Sequence, residues 1–302
     1  MCQVPKLASR EKMKIVWKSD ESKLPYHPKV PCNKYLIYLV VHSCTIDTCH
    51  LRKGHNMRIA IISDIHGNFT ALQAVLADIK LQQIDQIVCL GDTVTLGPQP
   101  KQVIDSLREL NCVFIKGNHD SAILDPERAD EFEITEYLIP DLYWCRERLT
   151  KADLTLIDSF EDSHEIVLPN GVIILFFHGS PLSATDIIQA TTDPELLDKY
   201  FNAQKASVFI GGHSHIQMYR RYGEKLILNS GSVGNAFKFA YSPGNVPSLL
   251  PWAEYMVIGQ DGASLDVDLR RVYFDTQDLL KLVAESGLPG SAWWLRQYKL
   301  HE

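Results

Sequence analysis

The chain has 302 residues, 45% hydrophobic and 22% charged, with a formal net charge of −7. That length can bury one large core or at most two. The acidic balance excludes a broad basic footprint for duplex nucleic acid, and no apolar run is long enough to span a bilayer. The seven cysteines are odd in number and lack a dense regular spacing, which argues against a disulfide framework and for a reducing, cytoplasmic setting.

Composition shifts near Met57. Residues 1–56 carry ten Lys/Arg against four Asp/Glu, a net charge of +6, which leaves −13 for the remainder. Four of the seven cysteines lie in this part, and no helical or strand period is sustained across it. The run 35–41 has only a strand's length and lies too far from the start for a secretory signal. Residues 1–56 therefore read as an N-terminal extension outside the fold, and residues 57–302 as one domain.

From Met57 the pattern alternates. A strand is expected at 58–63, a helix at 69–81, a strand at 86–90, a helix at 100–110 and a strand at 112–116. This β-α-β-α-β series with Ile/Val-rich strands predicts a partly parallel sheet. Residues 126–160 hold acidic and aromatic positions at helical spacing and read as a helical insert. Strands follow at 165–168, 172–177 and 207–210, then a hairpin at 217–222 and 225–228, and a last pair at 253–258 and 264–272. Helices at 276–286 and after Pro289 close the chain. Strands grouped toward both halves predict two packed sheets flanked by helices.

Five short polar blocks punctuate this series, and four of them directly follow an apolar, β-prone run. They are Asp64-Ile65-His66, Gly91-Asp92, Gly117-Asn118-His119-Asp120, His178-Gly179 and Gly212-His213-Ser214-His215. Each alone has a plain explanation. Asp-x-His and Gly-Asp suit turns, Asn118 suits the N-cap of a short helix from Ser121, and His178 suits a buried, hydrogen-bonded imidazole. Jointly they offer carboxylates, an amide and five imidazoles at strand ends, where ligands of α/β sheets gather. That donor set suits two adjacent divalent ions and metal-assisted attack on a phosphate ester. The remaining histidines, among them His164, lack such context.

In this order the blocks resemble the calcineurin-like metallophosphoesterase superfamily, closest to its small bacterial and archaeal phosphodiesterase-type members. The resemblance runs from about Met57 to the C-terminus. It includes the 229–234 loop (Asn-Ser-Gly-Ser-Val-Gly), the helical insert and the closing Tyr273-Phe274-Asp275. It implies a four-layer α/β/β/α sandwich. It also implies one metal held by Asp64, His66, Asp92 and His215, and a second by Asp92, Asn118, His178 and His213, with a bridging hydroxide as nucleophile. His119 is then the general acid, with Asp120 behind it orienting the imidazole. Manganese is the expected metal, and iron, zinc, cobalt or nickel suit the same donors.

With two divalent ions, Asp64, Asp92 and a hydroxide, the site keeps a slight positive charge, suited to an anionic ester. Relatives acting on phosphoproteins or dinucleoside tetraphosphates carry Asp-Arg-Gly after the bridging block, where the arginine grips a phosphate. Here the stretch is Asp92-Thr93-Val94-Thr95, without arginine. That favours a small phosphodiester over a monoester or a pyrophosphate bond. Thr93, the 126–160 insert and the 229–234 loop are the candidate contributors to the substrate pocket. A non-catalytic interaction module on the same fold is the reading from another class, and the retained ligand positions count against it.

Overall fold

Side chains along a strand point alternately to opposite faces, so a strand buried on both sides needs apolar residues at every position. The first strand, β1 (Arg58–Ile62), meets that demand with Ile59, Ala60, Ile61 and Ile62, all fully buried. The computed structural model describes residues 57–241, 246–262 and 264–298; the expected N-terminal extension 1–56 lies outside them.

The chain continues through α1 (Phe69–Ile79), β2 (Gln86–Cys89), α2 (Pro100–Arg108), β3 (Cys112–Phe114) and α3 (Asn118–Leu124). The insert forms short 3-10 turns at Pro126–Arg128 and Glu136–Leu138, then α4 (Ile139–Arg146) and α5 (Lys151–Asp158). Next come β4 (Ser163–Val167), β5 (Ile173–Phe177), α6 (Pro194–Phe201), β6 (Val208–Gly211), β7 (Met218–Tyr222) and β8 (Lys225–Asn229). The chain closes with β9 (Trp252–Asp261), β10 (Ser264–Tyr273), α7 (Thr276–Glu285) and α8 (Ser291–Tyr298).

The strands form two mixed five-stranded sheets, ordered β10-β9-β1-β2-β3 and β4-β5-β6-β8-β7. In the first, β1, β2 and β3 run parallel while β9 and β10 are antiparallel additions. In the second, β5, β6 and β8 run parallel, with β4 and β7 antiparallel at the edges.

Alternation assigns each face. Ile59, Ile61, Val88 and Leu90 of the first sheet pack on Ile174, Phe176, Val208 and Ile210 of the second. The other face of the first sheet, with Ala60, Ile62, Cys89 and Tyr255, packs on Leu72 and Val75 of α1 and on Val103, Ile104 and Leu107 of α2. The outer face of the second sheet, with Leu175, Phe177 and Phe209, is covered by Leu197, Tyr200 and Phe201 of α6. The result is the expected α/β/β/α sandwich.

Two differences from the sequence expectation stand out. Helix α6 was not foreseen, because its eight residues give the apolar period little more than two turns to show itself. Its start is nonetheless marked: Asp193 accepts the Glu195 N–H and Pro194 occupies the first helical position. Helix α3 begins at Asn118 rather than Ser121, with Gly117 preceding it. Asp120 accepts the Gly117 N–H at 3.0 Å and fixes that earlier start.

Candidate metal centre

All five polar blocks follow strands, and all lie at the carboxyl ends of parallel strands: β1, β2 and β3 in one sheet, β5 and β6 in the other. Backbone bonds lace these ends together. Asp64 N–H donates to Gly91 O (3.0 Å), His66 N–H to Asp92 O (2.9 Å) and Gly67 N–H to Thr93 O (2.9 Å). From the second sheet, Val233 N–H reaches Ser63 O (2.9 Å) and Gly234 N–H reaches Asp64 O (3.0 Å). Gly91 sits at φ +103°, and a Cβ there would collide with Gly117 N, so a side chain is excluded where the two loops meet.

Five of the candidate residues hold left-handed backbone angles: Asp64 at φ +53°, His66 at +47°, Asp92 at +54°, His213 at +63° and His215 at +57°. Such angles are unfavourable for residues with a Cβ and cluster where function requires a set side-chain direction. Here they turn consecutive polar side chains back onto one point.

Three imidazoles commit Nδ1 away from that point. His178 Nδ1 bonds Leu90 O at 2.6 Å, His215 Nδ1 bonds Asn235 O at 2.8 Å, and His66 Nδ1 bonds Thr95 Oγ1 at 3.4 Å. With Nδ1 donating to these oxygens, the neutral rings would present Nε2 lone pairs inward, as metal ligation requires. His66 Nε2 and His215 Nε2 are 3.0 Å apart. The Asp92 Oδ2 atom lies 3.3 Å from His178 Nε2 and 3.7 Å from His66 Nε2. Asp64 Oδ1 lies 3.4 Å from His215 Nε2 and 4.0 Å from His178 Nε2, and Asn118 Oδ1 lies 3.2 Å from His178 Nε2.

These distances define two adjoining groups of donor atoms, each within 4.8 Å: Asp64, His66 and His215, and Asp92, His178 and His213. A third such group, His66, Asp92 and His119, overlaps both. Imidazole nitrogens and carboxylate oxygens around a buried space are the donor set of divalent transition metals, so the residues present fit the metals that the sequence pattern implies.

Electrostatics follow from burial and proximity. Burial opposes ionisation of Asp64, yet His215 and His178 hold its carboxyl down at about 2. Asp92 is likewise held well below the usual carboxylate range, against burial, by His178 and His119. Burial works against a charged His178, but Asp92 and Asp64 beside it hold it up at about 10. Burial, with His178 adding to it, pushes His213 down to about 4, and burial with His215 lowers His66 well below its ordinary value. Burial also lowers His119.

The geometry corrects the expectation for Asp120. Its carboxylate accepts from Asp92 N (2.8 Å), Gly117 N (3.0 Å), Thr93 N (3.0 Å) and Thr93 Oγ1 (2.7 Å). None of these donors belongs to His119, whose Nδ1 is buried with no hydrogen-bond partner among the described residues. Asp120 clamps the loops after β2 and β3; it does not orient the imidazole. The His119 backbone N–H instead donates to Asp92 Oδ1 at 2.9 Å.

A calcineurin-like phosphoesterase superfamily domain matches residues 57–243, more than half of the chain. The chain belongs to that superfamily. An uncharacterized protein of Methanocaldococcus jannaschii, MJ0912, is 30% identical over 236 residues, covering 76% of this chain and 93% of that protein. A metallophosphoesterase of Sphaerobacter thermophilus superposes with a TM-score of 0.60 at 25% identity, covering 80% of this chain and 98% of the other. The hypothetical protein PH1004 of Pyrococcus horikoshii shares the fold with a TM-score of 0.66 at 20% identity, over the same shares of the two chains.

In this calcineurin-like domain a cavity of about 180 Å³ opens beside the candidate ligands. Its floor is His66, Asp92, Asn118, His119, His213 and His215. The insert lines it with Glu133, Thr135, Tyr137 and Leu138, in line with the expectation from sequence. Thr93 and the 229–234 loop do not line it. Thr93 is buried against Asp120, and the loop supports the ligands from behind: Ser232 Oγ donates to Asp64 O (2.8 Å) and Asn229 Nδ2 to Gly212 O (2.5 Å). Sequence reasoning missed Thr95, Asn235 and Phe237 near the ligands. It also missed Trp293, Trp294 and Gln297 of α8, beyond the matched domain, which complete the cavity wall. Among the described residues no helix is long and apolar enough to cross a membrane.

Proposed function

We propose that this chain is a dinuclear, divalent-metal-dependent hydrolase that cleaves phosphodiester bonds. The observation that carries the reading is the position of Asp92. Its Oδ2 atom stands between His178 and His66, one from each donor group, as a shared ligand must. In this reading Asp64, His66, Asp92 and His215 hold one ion, and Asp92, Asn118, His178 and His213 hold the other. The two ions would supply an activated water and a clamp on the phosphate oxygens.

The chain's own residues do the rest. Hydrogen bonds from Nδ1 of His66, His178 and His215 fix each ring with Nε2 free for a metal. His119 lines the cavity without a place in the two ligand sets; burial favours its neutral form, so it can take the proton given up by the activated water and, as the imidazolium so formed, pass that proton to the departing alkoxide. Water's oxygen forms the new bond to phosphorus, the ester P–O bond breaks, and the alcohol leaves protonated.

The preference for diesters rests on charge. Among the described residues no lysine or arginine lines the cavity, so the metals alone meet the phosphate. A diester carries one negative charge and asks less of such a site than a monoester dianion or a pyrophosphate. The test is hydrolysis of bis(4-nitrophenyl) phosphate against 4-nitrophenyl phosphate by protein loaded with Mn²⁺, with metal content measured on the same sample. The expected result is two ions per chain and faster diester turnover. Dominant monoester turnover would refute the substrate preference, and metal-independent hydrolysis would refute the mechanism.

A further inference from the structure

The far wall of the cavity is aromatic. Tyr137 of the insert and Trp293 of α8 hold their ring centroids 5.4 Å apart at 54°. The Gly290 N–H, just before α8, donates to Asp141 Oδ1 of α4 at 2.6 Å, which ties the C-terminal helix to the insert. Nearer the ligands, Phe237 lies against the His215 ring, 4.4 Å between centroids at 34°. A flat group entering beside the phosphate would meet the aromatic side chains Tyr137, Phe237 and Trp293 of the lining.

The same lining holds buried polar atoms without partners. Trp294 Nε1, a donor, and Asn235 Oδ1, an acceptor, make no hydrogen bond among the described residues, as does His119 Nδ1. Trp294 is 1% exposed and Asn235 5%. Buried polar groups are normally satisfied, and unpartnered ones at a cavity are free to meet a bound guest. A purely apolar guest would leave both atoms unmet. Among the described residues a guest with a second phosphate would find no cation, since the charged side chain lining the cavity beyond the metal-ligand group is Glu133.

We propose that this cavity is a subsite for a nucleobase, so that the substrate is a nucleoside phosphodiester with a single phosphate. The base would stack on the aromatic lining, take the Trp294 N–H on a ring nitrogen or carbonyl oxygen, and donate from its amine or imide toward Asn235 or Glu133. The inference rests on the phosphodiesterase reading above, and it assigns substrate selection to α8, outside the matched superfamily domain.

Two diesters with one leaving group test it: the 4-nitrophenyl ester of thymidine 5′-monophosphate and methyl 4-nitrophenyl phosphate. Stacking of a base on an aromatic wall predicts kcat/KM at least about tenfold higher for the nucleoside ester, chiefly through KM. The Trp293→Ala variant should bring that ratio close to one, and Trp294→Phe, which keeps a ring but removes the N–H, should reduce it several-fold. A ratio near one in the unaltered protein overturns the subsite while leaving the phosphodiesterase reading intact. If neither diester is cleaved, that reading fails instead. The subsite is then decided by tryptophan fluorescence of EDTA-treated protein titrated with adenosine. Saturable quenching that Trp293→Ala weakens supports it, and no change refutes it.

Discussion

His66 and His215 face each other with their Nε2 atoms 3.0 Å apart, while the Nδ1 of each bonds outward to Thr95 and to the Asn235 carbonyl. The carbonyl requires a hydrogen on His215 Nδ1, and where His66 Nδ1 likewise donates to the Thr95 hydroxyl, two lone pairs confront one another across that gap. A bound cation removes the conflict and ties the loop after β1 to the loop after β6. Metal removal should therefore destabilise the fold. At metal concentrations about 100 to 1,000 times Kd, linkage gives about 3–4 kcal/mol, or roughly 5–15 °C in Tm for a domain of this size. Thermal unfolding with EDTA, then with Mn²⁺ restored, measures it, and an unchanged Tm would count against an ion in this gap.

Asp92 places Oδ2 near one histidine of each donor group, His66 and His178, and is the shared ligand of the proposed centre. Replacing it by Asn keeps its shape but removes the charge that can serve two ions. Partners behind a ligand commonly change affinity or activity about 10–100-fold, so a shared ligand should cost at least about 100-fold in kcat/KM. Asp92→Asn should also bind fewer than two metals per chain, read by elemental analysis. Full activity with full metal content would remove Asp92 from the mechanism.

His119 lies against His66, with ring centroids 5.0 Å apart at 87°, but has its own task in the proposed reaction. His119→Ala should retain both metals. It should lose about 10²–10⁴-fold with an alkyl leaving group and far less with 4-nitrophenolate, which departs without protonation. Equal losses on both leaving groups would contradict the acid role, and loss of metal would make His119 a ligand.

How much of this was legible in the sequence depends on how local the signal is. Strands β1, β2, β5 and β6 announce themselves because burial on both faces demands unbroken apolar runs, and Asp64, Asp92, His178 and His213 follow those runs directly. Their supports were invisible for a physical reason. Leu90 and Asn235 act through backbone carbonyls, which every residue carries, and Thr95 bonds His66 across a tertiary contact. Asp120 was placed beside His119 because the two are adjacent in sequence. Within a helical first turn, adjacent side chains diverge, and Asp120 turned to the loop after β2. The α8 tryptophans enter the cavity through contacts distant in sequence: the Gly290 N–H on Asp141, the Leu249 N–H on Gln297 O, and the packing of Trp294 on Leu249, Leu279 and Val283.

The clamp made by Asp120 carries its own test. Fully buried, it receives four donors on two oxygens, and burial, with Asp92 adding to it, raises its pKa. Asp120→Asn would set an amide N–H₂ against backbone N–H groups and leave them unmet, a loss of about 2–4 kcal/mol by the usual penalty for buried unsatisfied groups. Urea unfolding at saturating Mn²⁺ should show that loss, together with weaker metal binding. A variant of unchanged stability with a shifted pH–rate profile would restore Asp120 to the role of partner for His119.

Asp153 links the insert to α2 and gives the fold a defined acid sensitivity. Its carboxylate meets Arg108, caps α5 through the Thr150 N–H (2.7 Å) and lies 3.7 Å from Lys101. Burial alone would raise its pKa, but Arg108, Thr150 and Lys101 reverse that and hold it at about 2, against 3.8 for the free side chain. A carboxyl whose folded pKa is depressed binds its proton more readily when unfolded. Its contribution is therefore complete above about pH 4 and is lost as pH falls through about 2. Asp153→Asn should unfold with about 1–2 kcal/mol less stability at neutral pH, the range of a lost cap with a partly exposed ion pair. Its stability should also fall less steeply than that of the parent between pH 4 and 2. Parallel stability curves for the two proteins across that window, followed by urea denaturation, would show that the Asp153 charge contributes nothing to holding the insert on α2.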